Sequence, residues 1–180
     1  MNKPKRTLFL DRDGVISCFE PGQYVTNVVD FRFCNGVIES MLSLAKCFDY
    51  IIIITNQAGV EYEFMTILDL QTIHAYMAEV IRSNGGRIDA IYACTAKPGS
   101  NHPDRKPNTG MAYMAKRDFP DIDFENTFVL GDSLSDMEFA KNIGATPVGI
   151  GPQIFPEWVP LRFGSLRDFT NWYLITGVTS

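Results

Sequence analysis

Thr7-Leu8-Phe9-Leu10 runs straight into Asp11-Arg12-Asp13-Gly14, Tyr50 to Ile54 into Thr55-Asn56-Gln57, and Thr127 to Leu130 into Gly131-Asp132-Ser133 with Asp136 close behind. Apolar runs this short and without alternation suit strands buried on both faces. Ile88 to Cys94 and Thr146 to Ile150 read the same way. Helical faces lie between them: Val37, Ile38, Met41, Leu42, Leu44 and Ala45 on one, Leu70, Ile73, Met77, Val80 and Ile81 on another. Thr66 with Asp69, Ser135 with Glu138, and Ser165 with Asp168 have capping-box spacing, and Gly85 and Gly144 stand where helices should stop. Strands alternating with helices predict an α/β fold, a doubly wound and mostly parallel sheet with helices on both faces. The Pro-rich stretch from Pro147 to Pro160 reads as turns before a last helix, Leu166 to Leu174. With 180 residues and no linker or repeat, a single domain over 1–180 is expected, without room for a large cap domain.

In a parallel sheet all three polar clusters emerge at one edge, where open α/β folds bind ligands. Asp11 and Asp13 follow a buried strand and precede a glycine that lets the chain turn away. A second Asp-x-Asp, Asp121-Ile122-Asp123, follows Pro120 and reads as solvated loop. Carboxylates gathered at one edge repel unless a cation sits among them, and a hard oxygen-ligated ion, Mg²⁺ first, is the natural solution. Lys106, ahead of a helix, supplies a fixed positive charge to the same edge. Carboxylates, a metal, a hydroxyl and a lysine together suit phosphoryl transfer.

Composition narrows the remaining classes. A net charge of −5 without a basic stripe lacks the footprint of a nucleic-acid binder, so the expected partner is a small phosphorylated molecule, with no nucleic acid and no membrane. Nothing in the pattern specifies an oligomer. No apolar run approaches the length of a membrane span, and no signal peptide follows the basic Lys3-Pro4-Lys5-Arg6. Cys18, Cys34, Cys47 and Cys94 have no paired spacing, which argues against a disulfide framework and for a reducing compartment, the cytoplasm.

These residues resemble the haloacid dehalogenase superfamily of phosphohydrolases. Asp11-Arg12-Asp13-Gly14-Val15-Ile16 looks like its first motif, Thr55 its second, Lys106 its third, and Gly131-Asp132-Ser133-Leu134-Ser135-Asp136 its fourth, in the family's order. Thr55-Asn56-Gln57, Arg105-Lys106-Pro107 and Gly110-Met111 are similar to the branch of heptose bisphosphate and histidinol phosphate phosphatases. The resemblance implies Asp11 as nucleophile and metal ligand, and Asp13 as general acid and base that lends its backbone carbonyl to Mg²⁺. It implies Asp132 as the remaining metal ligand and Asp136 as an acid behind it. Thr55, Asn56 and Lys106 would hold the phosphoryl group, with Arg105, Gln57 and Tyr24 as substrate contacts. It further implies a sugar phosphate substrate, heptose 1,7-bisphosphate first and histidinol phosphate second; a non-catalytic phosphate-binding module is the reading from another class. A phosphorylatable receiver fits poorly, since its aspartate would follow the third strand, which ends here in Cys94.

Two departures stand out. Relatives often carry a Cys-x-His and Cys-x-Cys zinc loop before Arg-Lys-Pro, whereas this chain reads Cys94-Thr95-Ala96 and His102-Pro103-Asp104; one matching ligand remains, an irregular site of Cys94, His102 and Asp104 would be degenerate, and Zn²⁺ is not expected. After Gln57, where small or basic residues are expected, stand Val60-Glu61-Tyr62-Glu63-Phe64, and Glu61 and Glu63 would disfavour a second phosphate unless they are solvated loop.

Overall fold

A computed structural model of the chain describes residues 5–18 and 23–176; the Lys3-Pro4 start and residues 19–22 of the loop expected to frame substrate lie outside them. Six strands form one parallel sheet: β1 (Lys5–Leu10), β2 (Tyr50–Asn56), β3 (Ala90–Cys94), β4 (Ile122–Gly131), β5 (Thr146–Ile150) and β6 (Leu161–Phe163), in the order β3-β2-β1-β4-β5-β6. The helices are α1 (Val37–Leu44), α2 (Ile67–Ser83), α3 (Gly110–Asp118), α4 (Leu134–Ile143) and α5 (Leu166–Thr176). This is the doubly wound α/β fold, and no large cap is present among the described residues.

Period-two side chains explain why two helical layers are needed. Leu8 and Leu10 of β1 and Ile51 and Ile53 of β2 pack in one core with Met41 and Leu44 of α1, Ile73 and Met77 of α2, and Phe169 of α5. Phe9, Ile52 and Ile54 point the other way, onto Met111, Ala112 and Ala115 of α3 and Phe139 and Ala140 of α4. Each such fully buried side chain contributes about 1.5–3 kcal/mol relative to exposure, so neither face is dispensable.

The strand order puts the site at a reversal. The chain winds from β1 to β2 to β3 on one side, then returns to place β4 against the other side of β1. Register aligns Leu10 with Ile53 and with Leu130, so the three polar clusters leave the sheet side by side. That reversal opens a crevice at the carboxyl ends of the strands.

Four local expectations need correction. The capping box of α4 is Ser133 with Asp136, not Ser135 with Glu138, because the helix begins at Leu134. Asp121-Ile122-Asp123 is not all loop: Ile122 opens β4, and Asp123 Oδ1 and Oδ2 accept from the Glu125 backbone and the Asn126 side chain, stabilising the strand's irregular start. Between the Pro-rich region and the last helix lies a strand, β6, whose partners are Val148 to Ile150. Finally, Cys18 and Cys34 form a disulfide despite their uninformative spacing, because the chain doubles back and brings their Cα atoms within 4.9 Å. Cys47 and Cys94 are free. No described helix is long and apolar enough to cross a membrane.

Candidate active site

Asp11 is the first residue beyond β1, and its backbone N–H donates to Leu130 O of β4 at 2.9 Å. Its Oδ1 accepts from the Arg12 N–H at 2.8 Å and lies 3.0 Å from Lys106 Nζ. The Lys106 ammonium is almost fully buried; it also donates to Ile54 O at 2.8 Å and pairs with Asp136 Oδ1 at 2.5 Å. Burial opposes this charge, but Asp11 and Asp136 outweigh burial and hold the lysine above its usual range. A lysine so placed is a fixed cation at the sheet edge.

Asn56 explains how Lys106, fifty residues away, arrives there. Its carboxamide donates to Lys106 O at 3.2 Å and accepts from Lys106 N–H at 3.1 Å, clamping the third motif to the end of β2. Gln57 is equally engaged: its Nε2 donates to Asp13 Oδ2 at 2.8 Å and to Thr55 Oγ1 at 2.9 Å. Both side chains are expected at the phosphate or the substrate; in the structure their hydrogen bonds go to Lys106, Asp13 and Thr55.

Asp13 faces away from Lys106. Arg12, wholly buried, grips it with two bonds, Nε to Oδ1 at 2.9 Å and Nη2 to Oδ2 at 2.8 Å, and Ser17 Oγ donates to Oδ1 at 2.7 Å. Burial pushes the Asp13 carboxyl up, yet the Arg12 charge and these hydrogen bonds prevail and hold it below the usual range. His74 of α2 completes the group, its Nε2 3.3 Å from Arg12 Nη1; burial and the Arg12 charge push its pKa down to about 4. Sequence reasoning missed Arg12, Ser17 and His74. A strand-end arginine flanked by two acids was the available signal for Arg12; nothing local marked His74.

Asp11, Asp132 and Asp136 are the group among the described residues that brings one carboxylate oxygen from each within 4.8 Å of the others. Burial, with Asp136 and Asp13 as neighbours, pushes Asp11 up to about 7 despite Lys106, and burial with Asp136 pushes Asp132 up to about 6. Three carboxylates face one ammonium here, while Arg12 separately neutralises Asp13. Asp136 is already committed, Oδ1 to Lys106 and Oδ2 to the Ser133 backbone N–H at 3.1 Å and the Ser133 hydroxyl. Asp11 and Asp132 therefore hold the free oxygens, a donor set that suits a hard divalent cation.

Glycines make the room. A Cβ on Gly14, whose φ is +79°, would lie 2.2 Å from Asp132 Oδ2, and one on Gly131 would lie 2.2 Å from Asp136 Cβ. The motif glycines are therefore cavities for carboxylates as well as turns.

The remaining expected contacts find partners in the neighbouring loops. Tyr24 is exposed, with its ring 5.3 Å from Phe64 and 6.3 Å from Tyr62. Arg105 Nη1 donates to Ala96 O at 2.7 Å. Glu61 accepts from the Lys97 N–H, and Lys97 Nζ sits 5.0 Å from the Tyr62 ring centre, so Glu61 ties two loops together; Glu63 is exposed with φ of 61°. Cys94 Sγ and His102 Nδ1 are 3.7 Å apart, and Asp104 Oδ2 lies 3.8 Å from His102 Nδ1.

The family profile of polynucleotide kinase 3 phosphatase matches residues 7–148. The D-glycero-alpha-D-manno-heptose-1,7-bisphosphate 7-phosphatase of Mycobacterium tuberculosis is 36% identical over 138 residues, 77% of this chain and 73% of that protein. The chain belongs to the haloacid dehalogenase superfamily, among relatives named as heptose bisphosphate phosphatases. The D-glycero-beta-D-manno-heptose-1,7-bisphosphate 7-phosphatase of Escherichia coli K12 is 33% identical over 167 residues, 87% of this chain and 86% of that protein. Among solved structures, the D,D-heptose 1,7-bisphosphate phosphatase of B. bronchiseptica, complexed with magnesium and phosphate, matches with a TM-score of 0.84 at 25% identity, covering 95% of this chain and 99% of that one. The protein is thus a phosphatase of this superfamily, akin to enzymes named for a sugar bisphosphate.

Two outcomes follow from the geometry. Gly14→Ala displaces Asp132 by about the size of a methyl group, and misplacement on the order of 1 Å costs ~100-fold, so kcat/KM should fall by at least that with the circular dichroism spectrum unchanged. His74 binds its proton at about 6.5 when unfolded and at about 4 when folded, so the unfolded chain takes up more protons between those values. Stability contributed by neutral His74 is then complete above about pH 6.5 and lost as pH falls through 4. Between pH 7 and 4.5 the protein should lose roughly 2–3 kcal/mol more in urea unfolding than His74→Gln does.

Proposed function

We propose that the chain is a Mg²⁺-dependent phosphomonoesterase that works through a phosphoaspartate on Asp11, with a sugar phosphate of the heptose 1,7-bisphosphate type as substrate. The observation that carries this reading is the Asp11 carboxylate, free on one oxygen, held 3.0 Å from the buried Lys106 ammonium and within 4.8 Å of Asp132 and Asp136. Asp11 and Asp132, with the Asp13 backbone carbonyl, would hold the Mg²⁺. When bound, the ion neutralises phosphate charge and keeps Asp11 ionised below its metal-free pKa of about 7.

In the first half-reaction an Asp11 oxygen attacks phosphorus and the ester P–O bond breaks. Asp13 gives the leaving oxygen its proton. The Thr55 hydroxyl and Lys106 steady the transferring group, in which positioning and charge neutralisation do most of the catalysis. In the second, Asp13 takes a proton from water, whose oxygen attacks phosphorus; the bond to Asp11 breaks and phosphate leaves. The bidentate grip of Arg12 holds Asp13 ionised, which is the form the second half-reaction needs. Acting as acid first requires Asp13 to turn from Arg12 toward the substrate.

Two features bear on the leaving group. Lys97 and Arg105 lie on the loop beside the third motif and supply positive charge for a distal phosphate, as a bisphosphate needs. The exposed Glu63, beside Glu61, favours a cationic leaving group and supports histidinol phosphate as the second reading.

Purified protein should release phosphate from an aryl phosphate with Mg²⁺ and stop when the ion is chelated, and Asp11→Asn should retain the fold with activity at background. Full activity after metal removal, or in Asp11→Asn, would reject the mechanism. Comparing kcat/KM for heptose 1,7-bisphosphate and histidinol phosphate decides between the two substrates.

A further inference from the structure

We propose that Cys18 and Cys34 are a redox modification site that adjusts how firmly Asp13 is held, taking as exchange partner a low-molecular-weight disulfide or dithiol. The site is built by the backbone before any sulfur chemistry. Cys18 N–H donates to Arg32 O and Cys34 N–H to Ile16 O, both at 2.9 Å, and Ser17 bridges Phe33 in antiparallel fashion. This pairing sets the two cysteine Cα atoms 4.9 Å apart, inside the range a disulfide requires. Cys18 is exposed and Cys34 half-buried, so a soluble thiol or disulfide reaches the pair. Cys94, by contrast, is buried against His102.

Coupling to the site runs through one residue. Ser17, next to Cys18, is wholly buried and donates to Asp13 Oδ1 at 2.7 Å, while its backbone carbonyl accepts from Gly14 N–H and its N–H donates to Arg12 O, both at 2.8 Å. A covalent bond from Cys18 to the Cys34 segment fixes the anchor of Ser17 and therefore one of the contacts that orient Asp13. Release of that bond leaves Ser17 held by hydrogen bonds to Arg12, Gly14 and Asp13, without a covalent tie to the neighbouring segment. The cysteines are positioning residues; they touch no reacting atom.

The chemistry is balanced thiol–disulfide exchange. The Cys18 thiolate attacks one sulfur of an external disulfide and expels one thiolate, and the Cys34 thiolate then attacks Cys18 Sγ and expels the other. The two cysteines lose two electrons, the external disulfide gains them, and the two cysteine protons pass to the departing thiolates. A dithiol runs the sequence backwards.

The catalytic half of this proposal rests on the phosphatase reading; formation of the bond does not. The whole protein is equilibrated in glutathione buffers from fully reduced to fully oxidised, alkylated, and its thiols located by peptide mass spectrometry. Cys18 and Cys34 should pass together from alkylated to linked, while Cys47 stays alkylated and Cys47→Ser behaves as wild type. Closing a loop of this length should raise the melting temperature by roughly 5–10 °C. With an aryl phosphate and Mg²⁺, reduction should lower kcat about 3–10-fold at unchanged KM, and Cys18→Ser/Cys34→Ser should match the reduced enzyme in every buffer. Both thiols still alkylated under oxidised glutathione would overturn the proposal. So would a linked pair with kcat unaltered, or a redox response persisting in the double variant. If neither redox state hydrolyses the ester, the phosphatase reading fails on that assay and the positioning role falls with it, while the thiol map and melting temperature still decide whether the site exists.

Discussion

One buried ammonium, that of Lys106, holds the end of this sheet together. It bridges Asp11 beyond β1, Ile54 O of β2 and Asp136 of α4, so three separate segments converge on one cation. Removing it would leave two desolvated carboxylates uncompensated, a change that costs on the order of 3–5 kcal/mol for buried pairs. The same ammonium leaves the carboxylate cluster undercharged by design of its count: Asp11, Asp132 and Asp136 face it together. The surplus of negative charge is what suits the edge to a divalent cation and a phosphoryl group.

Arg12 does for Asp13 what Lys106 does for Asp11. The two acids of the first motif stand two residues apart, yet their environments push them in opposite directions, Asp11 up through burial and Asp13 down through the guanidinium. Under the proposed mechanism these opposed environments would divide the work: bound Mg²⁺ would return Asp11 to its ionised, nucleophilic form, and the guanidinium holds Asp13 ready to take a proton from water. The division depends on long-range partners: His74 from α2 against Arg12, Gln57 from the end of β2 against Asp13, Ser17 from the loop beyond the motif.

The sheet was readable because each central strand ends in a short apolar run punctuated by a polar cluster; β1, β2 and the end of β4 lie where Leu8 to Leu10, Ile51 to Ile54 and Phe128 to Leu130 placed them. β6 was not readable, since Leu161-Arg162-Phe163 is a short edge strand among prolines and owes its pairing to β5. The convergence of Asp11, Thr55 and Asp132 followed from strand order, whereas Lys106 stands on a loop that the Asn56 side chain ties to the end of β2. What Asp136, Asn56 and Gln57 do there did not. Asp136 is expected as an acid behind the metal ligands, but its contact with Lys106 and its capping of Ser133 are made by packing that the local pattern does not carry. The carboxamides of Asn56 and Gln57 find partners far along the chain, and local pattern carries no trace of such contacts. The Cys18–Cys34 pair escaped for the same reason: its proximity is made by a backbone reversal, not by spacing.

Covalent phosphorylation of Asp11 during turnover is read out by quenching the enzyme in acid while it hydrolyses a phosphomonoester with Mg²⁺ and mapping its peptides by mass spectrometry. The proposed mechanism predicts an acid-stable, base-labile phosphoryl group on the peptide containing Asp11, convertible by borohydride to homoserine at that position and absent without Mg²⁺. A phosphoryl group on any other residue, or sustained turnover with Asp11 never modified, would contradict it.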